Sequence, residues 1–395
     1  MILYLLIPAA GFLSPLLVIP AITSRFGVAG WTGMALAQSL GGAIAIATEM
    51  GWGVVGPQRV AGMSRRDGIA QYRLSLTSRP LTAIPGMVLA AALTGWLVDD
   101  HAVAAAILAA AMASQAMTPQ WYFVGIGQPV AVLWSESLPK ALLALISAIA
   151  ILAGAPFVTY SLLMCLAMPI ALIVARLIIG PEARLRRSDW AAATTASRQQ
   201  LIIGSSRVVS VAYTGLPVTL VQIAAPEATP VFAATERLMR MGVLVLYSVP
   251  SRLQSWIGGA DVGERAGRVH QAQRICLLMG VLAGVAYAAL TPTVSRLMFS
   301  GAVNVPYSVS SASGVLLAVI CTSMGLGLSM VATGQANLTI AAIIPAAIVA
   351  LSTVGVMAIH FGATGAVIAE IAAELVGVAI LWYLLRRHAR RHAAS

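Results

Sequence analysis

Charge is what this sequence has least of. Of its 395 residues only 9% are Asp, Glu, Lys or Arg, against 59% hydrophobic, and the mean hydropathy is +0.90. A soluble domain carries about 25% charged residues, so a water-soluble globular chain is excluded. Lysine is almost missing: 23 of the 24 basic residues are arginine, and the one lysine is Lys140. Cysteine occurs three times, at Cys165, Cys276 and Cys321, far apart and never as CxxC. These read as small buried hydrophobes, not as a disulfide framework or a thiolate metal site. The chain lacks GxxxxGK[ST], HExxH and any Cys/His ligand cluster. ATP-driven pumping by this chain alone is therefore not expected, and no cofactor is expected.

What is present is apolar length. Runs of about 20 residues recur from end to end, each able to cross a hydrocarbon core of about 30 Å. The expected fold is an all-α polytopic membrane protein of about 12 transmembrane helices. Their cores fall near 2–22, 30–52, 81–98, 102–124, 133–153, 158–179, 200–223, 230–250, 275–294, 309–331, 338–359 and 364–385. The first 22 residues have no basic lead-in and read as the first span, not as a cleaved signal. The loops expected outside are too short for a domain of their own, which argues against an enzyme that holds its active site there.

The basic residues set an orientation. With the N-terminus placed inside, 19 of the 24 fall on inside segments, two (Arg25 and Arg296) outside, and three (Arg207, Arg237 and Arg240) within spans. This is a strong positive-inside pattern, and both termini are expected to be cytoplasmic. It also accounts for the formal charge of +11 without nucleic acid as a partner. The basic loop at 56–80 resembles that at 251–274 in charge and length, and the segment at 180–199 resembles the tail at 386–395. Two six-helix lobes follow, 1–190 and 191–395, the second with a short basic tail. An even number of spans per lobe relates them by an axis along the membrane normal. Such lobes suit a central cavity that opens alternately to either side. Short basic loops that recur without a repeat are the alternative.

The stretch VFAATERLMRM (231–241) puts Glu236, Arg237 and Arg240 inside the eighth span. From Pro230, Arg237 lies about 10 Å and Arg240 about 15 Å along the helix. A basic side chain at mid-bilayer costs about 2.5–3.5 kcal/mol on insertion scales, so it should face protein or water. Arg237 and Arg240 share a face, and Glu236 stands four residues before Arg240, a pairing distance. Two readings stay open. Glu236 neutralises Arg240 and ties helices together, or the cations line a cavity for an anionic substrate, whose phosphate suits the planar guanidinium. Glu49, Arg207, Glu370 and Glu374 are further ionisable residues within spans. Glu370 and Glu374, one turn apart, could hold a proton or sodium ion, or pair with arginines of the same lobe. A salt bridge is the plain reading for Glu49. Asp99, Asp100 and His101 form a solvated turn. Glycine-dense faces at 41–56 and 323–330 allow close helix approach. Prolines at Pro8, Pro15, Pro85, Pro169, Pro217 and Pro345 should kink or break helices.

Several segments, in order, resemble the Wzx-like polysaccharide flippases of the multidrug/oligosaccharidyl-lipid/polysaccharide exporter superfamily. They are IPAITSRFGVAGWTGMALAQS (19–39), TEMGWGVVGPQRVA (48–61), TPQWYFVGIGQP (118–129), VFAATERLMRM (231–241) and HFGATGAVIAEIAAELVG (360–377). The resemblance implies a protein of the bacterial cytoplasmic (inner) membrane that moves undecaprenyl-diphosphate-linked oligosaccharide from the inner to the outer leaflet by alternating access. It implies Arg237 and Arg240, with Arg25 and Arg207, as the binding site for the diphosphate and its sugar. Glu49, Glu236, Glu370 and Glu374 remain for ion coupling or charge pairing. The implied partners are the lipid-linked glycan, the bilayer, a proton or sodium gradient and the polysaccharide polymerase machinery. An ion-coupled exporter of small molecules on the same fold is the alternative.

Overall fold

The computed structural model describes residues 2–187, 189–191, 193 and 215–393, with side chains over 16–387 except 188, 192, 194–214, 262 and 336. Every regular element among them is helical. Seven helical stretches of the described chain are long and apolar enough to cross a membrane. The chain divides into two compact units. One holds Met1–Thr219 with Met298–Ala302, and the other holds Leu220–Leu297 with Val303–Ser395.

The first unit opens with α1 (Ile2–Thr48) and continues through α2 (Trp52–Val60), α3 (Arg65–Ser78) and α4 (Pro80–Leu97). It goes on with α5 (Ala102–Ala113), α6 (Gln120–Gly125), α7 (Pro129–Val132), α8 (Leu138–Leu152) and α9 (Val158–Ile179). In α1 one residue leaves helical geometry: Gly27, at φ 61° and ψ −149°. That region is open in practice only to glycine, so α1 folds back as two arms, matching the two spans expected at 2–22 and 30–52. The second arm ends at Thr48, short of residue 52, because Met50 and Gly51 turn left-handed and start α2. The expected fourth span is assembled from α5, one 3₁₀ turn (Ser114–Met117) and α6, with Pro119 just before α6. The fifth begins with a single π turn (Leu133–Ser137) that runs into α8. Most of the expected seventh span, 200–223, lies outside the described residues, and Arg207 with it; its end appears as α10 (Pro217–Ala224).

The second unit contains α11 (Thr229–Leu246), α12 (Ser248–Gly258), α13 (Val262–Met298), α14 (Tyr307–Ala332) and α15 (Ile340–Ala393). Helix α15 repeats the device of α1. Gly362, at φ 59° and ψ −145°, separates the two arms expected as the last two spans. Both bends read Phe-Gly-x-x-Gly: Phe26–Gly30 and Phe361–Gly365. The second glycine of each lies under the phenylalanine, where an added Cβ would overlap Phe26 Cβ or Phe361 Cβ. Packing in lipid rests on small residues. Gly284 of α13 and Gly314 of α14 meet backbone to backbone, and a Cβ on either would overlap the other's carbonyl. Cys276 and Cys321, both fully buried with free thiols, belong to the same seam.

Candidate functional site

The charged residues within the membrane helices fall into two groups, one in each unit. In the second unit α11 carries its polar residues on one side. Glu236 is buried, and the Arg240 side chain is 48% exposed. Arg240 Nε donates to Glu236 Oε1 at 3.0 Å, and Nη2 donates to the same oxygen. The i,i+4 spacing therefore forms the pair that it allows. From the second arm of α15, buried Glu370 joins them. Its carboxylate stands within electrostatic reach of Glu236, Arg240 and Glu374. Tyr287 of α13 closes the group by donating its hydroxyl to the Thr235 carbonyl at 2.6 Å. Arg237 lies on the same helix, partly buried. The cluster thus holds three carboxylates and two guanidiniums. Arg240 is paired with Glu236, and Glu370 lies buried beside that pair. Tyr287 had no distinguishing signal in the sequence, since a tyrosine in a membrane helix is ordinary.

In the first unit Arg25 is exposed beside the Gly27 bend, and its guanidinium lies against Gly154. Phe26, His101 and Phe157 stack around that bend, with ring centroids 5.3–5.8 Å apart. The Asp99–Asp100–His101 turn is exposed, and no group of metal-ligating side chains occurs among the described residues. Glu49 sits at the end of α1 with both carboxylate oxygens over Gly53, on the first turn of α2. It also acts electrostatically on Arg79.

Arg79 is the centre of a polar clasp that the sequence reading passed over. It is fully buried. Its Nε donates to the Ser75 carbonyl at 3.2 Å and Nη2 to Ser75 Oγ at 3.1 Å. Its Nη1 donates to the carbonyls of Ala116 and Thr118 at 2.9 and 2.8 Å. These carbonyls lie where the helix breaks between α5 and α6, so the guanidinium supplies donors that the broken helix lacks. Thr118 Oγ1 in turn donates to Glu136 in the π turn. Glu136 is buried and faces Lys140 at 3.6 Å, while Lys140 donates to Gln115 at 3.2 Å. A π turn at such a place is common at functional sites. The sequence did carry a signal: Glu136 precedes the chain's one lysine by four residues at the head of an apolar run. Burial pushes the Arg79 guanidinium down to about 10 and the neighbouring Tyr72 hydroxyl up to about 12. Nearer α9, Arg73 pairs with Asp189 at 3.1 Å with both largely buried, and Arg65 with Glu182 at 3.0 Å in the open.

Solved structures with this arrangement of helices exist. The lipid II flippase MurJ in an inward closed conformation aligns over 97% of this chain and 87% of its own, with a TM-score of 0.69 and 14% identity. A multidrug resistance MATE family transporter of the MOP superfamily, inward-facing, aligns over 95% and 98%, with a TM-score of 0.59 and 12% identity. A MATE structure in the bent conformation aligns over 98% and 94%, with a TM-score of 0.58 and 14% identity. No protein-family model matches the chain, and no curated protein matches it in sequence. At such identities the likeness establishes the fold: a multi-pass, all-α membrane protein built like the MATE and MurJ structures.

Proposed function

We propose that this chain is an alternating-access transporter that carries polyprenyl-diphosphate-linked oligosaccharide from the inner to the outer leaflet of a bacterial cytoplasmic membrane. The observation that carries the reading is the charge cluster on α11, the helix that covers the expected eighth span, in a chain with this fold. Two arginines at mid-span are expensive, and head-group recognition gives them a use that packing alone does not. Arg237 and the half-exposed Arg240 are the proposed contacts for the diphosphate, with Arg25 and Arg207 contributing. The lobes 1–190 and 191–395 are the proposed moving bodies, with both termini proposed to be cytoplasmic. Cargo binding must differ in free energy between the inward and outward states. Glu236, Glu370 and Glu374 are the proposed groups that provide that difference by taking up a proton or a sodium ion. Delivery to polysaccharide polymerase machinery outside would draw the cargo forward.

A second reading rests on the same cluster. Its carboxylates outnumber its guanidiniums, and a buried acidic group favours cations. That balance suits an ion-coupled exporter of small cationic molecules. Liposomes separate the two. The protein is reconstituted with a fluorescent polyprenyl-diphosphate oligosaccharide in one leaflet, and its arrival in the other is measured. Wild-type protein should transport it, and Arg237→Ala/Arg240→Ala protein of the same size-exclusion profile should not. Equal transport by both would remove the arginines from head-group recognition. Absence of glycan transport with gradient-driven efflux of a cationic dye would establish the exporter reading.

A further inference from the structure

A half-open cavity of about 330 Å³ lies in the second unit where α12, the first turns of α13 and the last turn of α14 meet. Small-molecule pockets range over about 300–1,000 Å³, so it is large enough for the polar head of a lipid and the start of one chain. Its floor is apolar: Ile257 and Leu328 are buried and belong to a core group with Ala272 and Cys276. Val331 and Ala332 form one wall, and Gln254 and Arg265 line the cavity as its polar side chains.

The two nearby arginines differ in what they do. Arg268 donates to the Trp256 carbonyl and to Glu264, each at 2.8 Å, and stacks on the Trp256 ring, so it fixes the elbow between α12 and α13. Arg265 is exposed, and its guanidinium has no hydrogen bond or ion pair among the described residues. The segment 251–274 carries four arginines against Asp261 and Glu264, a surplus of two positive charges. About three turns beyond Arg265 along α13, Leu277 and Leu278 are 47% and 62% exposed, and Val331 of α14, at the cavity, is 45% exposed. Bare apolar surface thus gives way to a basic segment at the level of the cavity, the pattern of a bilayer–water boundary.

We propose that this cavity binds an anionic glycerophospholipid. Arg265 takes the phosphate with its planar fork, Gln254 supplies a second donor, and the first part of one acyl chain runs over Ile257, Leu328 and Val331. Basic pockets beside membrane helices suit anionic head groups in this way. The inference rests on the membrane fold alone and does not depend on the cargo.

Native mass spectrometry of the full chain in detergent tests it, with phosphatidylglycerol and phosphatidylcholine of identical acyl chains as probes. Wild-type protein should retain phosphatidylglycerol in preference to phosphatidylcholine. Arg265→Ala should weaken that binding about fivefold, the equivalent of about 1 kcal/mol per interfacial arginine. Arg265→Lys should recover part of it. Arg252→Ala removes the same charge from α12 outside the cavity and should leave the preference intact. If Arg265→Ala does not purify, Arg265→Gln is read in its place. Equal retention of the two lipids would overturn the proposal. So would equal weakening by Arg252→Ala and Arg265→Ala, which would mean diffuse charge attraction. Displacement of phosphatidylglycerol from wild type, but not from Arg265→Ala, by an equimolar polyprenyl diphosphate would also overturn it, by making the site one for the cargo head group.

Discussion

Replacing Arg79 by methionine tests how the first unit is held together. The side chain is fully buried and makes four hydrogen bonds, two of them to the carbonyls of Ala116 and Thr118 across 37 and 39 residues of sequence. Methionine fills similar space but donates nothing. Each carbonyl left buried without a donor costs about 1–3 kcal/mol, hence about 2–6 kcal/mol for the two. Removing a buried cation returns part of this, because burying the charge was itself unfavourable. A net loss of about 2–4 kcal/mol is expected. At about 2–4 °C per kcal/mol for a unit of this size, the apparent melting temperature in detergent should fall by about 5–15 °C. The assay is heating followed by size-exclusion chromatography of the remaining monomer. Arg79→Lys keeps the charge but loses the fork, so it should recover less than half of the loss. A shift under about 2 °C for Arg79→Met would refute the argument that these carbonyls depend on the guanidinium. Full recovery by lysine would show that charge, not donor geometry, is what counts.

The two glycine bends give a matched pair. Gly27→Ala and Gly362→Ala should each cost about 1–3 kcal/mol, because both glycines hold a conformation that alanine avoids, and their melting shifts should agree within experimental scatter. Glu136→Gln should destabilise by about 1–3 kcal/mol in the same assay, since it leaves Lys140 without its carboxylate and changes the Thr118 contact. Tyr72 is buried and its hydroxyl has no hydrogen-bond partner among the described residues, so Tyr72→Phe should be neutral or stabilising by about 1 kcal/mol at pH 7. Its folded pKa of about 12 lies above the unfolded value of 10.0. The stability tied to the neutral hydroxyl is therefore whole below pH 10 and lost as pH rises through 12. Across that window wild type should lose stability relative to Tyr72→Phe, and absorbance titration at alkaline pH should show one late-ionising tyrosine that the variant lacks.

Composition and apolar run length were enough to state the membrane class and to place the helices. The eleven expected spans other than the seventh fall on residues that are largely helical, although α13 begins at Val262, well before the expected start at 275, and α15 runs on to Ala393 past the expected end at 385. Run length carries that information because bilayer thickness sets it directly. Spacing along one helix was legible for the same kind of reason. Glu236 and Arg240 are four apart and do pair. What lay beyond the sequence was every relation between segments distant in the chain. Nothing in residues 116–118 announces that their carbonyls need Arg79, since the need arises only where α5 breaks before α6. Nor does HFGATGAVIAEIAAELVG show that Glu370 turns toward Glu236 and Arg240, which depends on the rotation of the second arm of α15 against α11. Helical periodicity determines which residues share a face; only tertiary packing decides what that face meets.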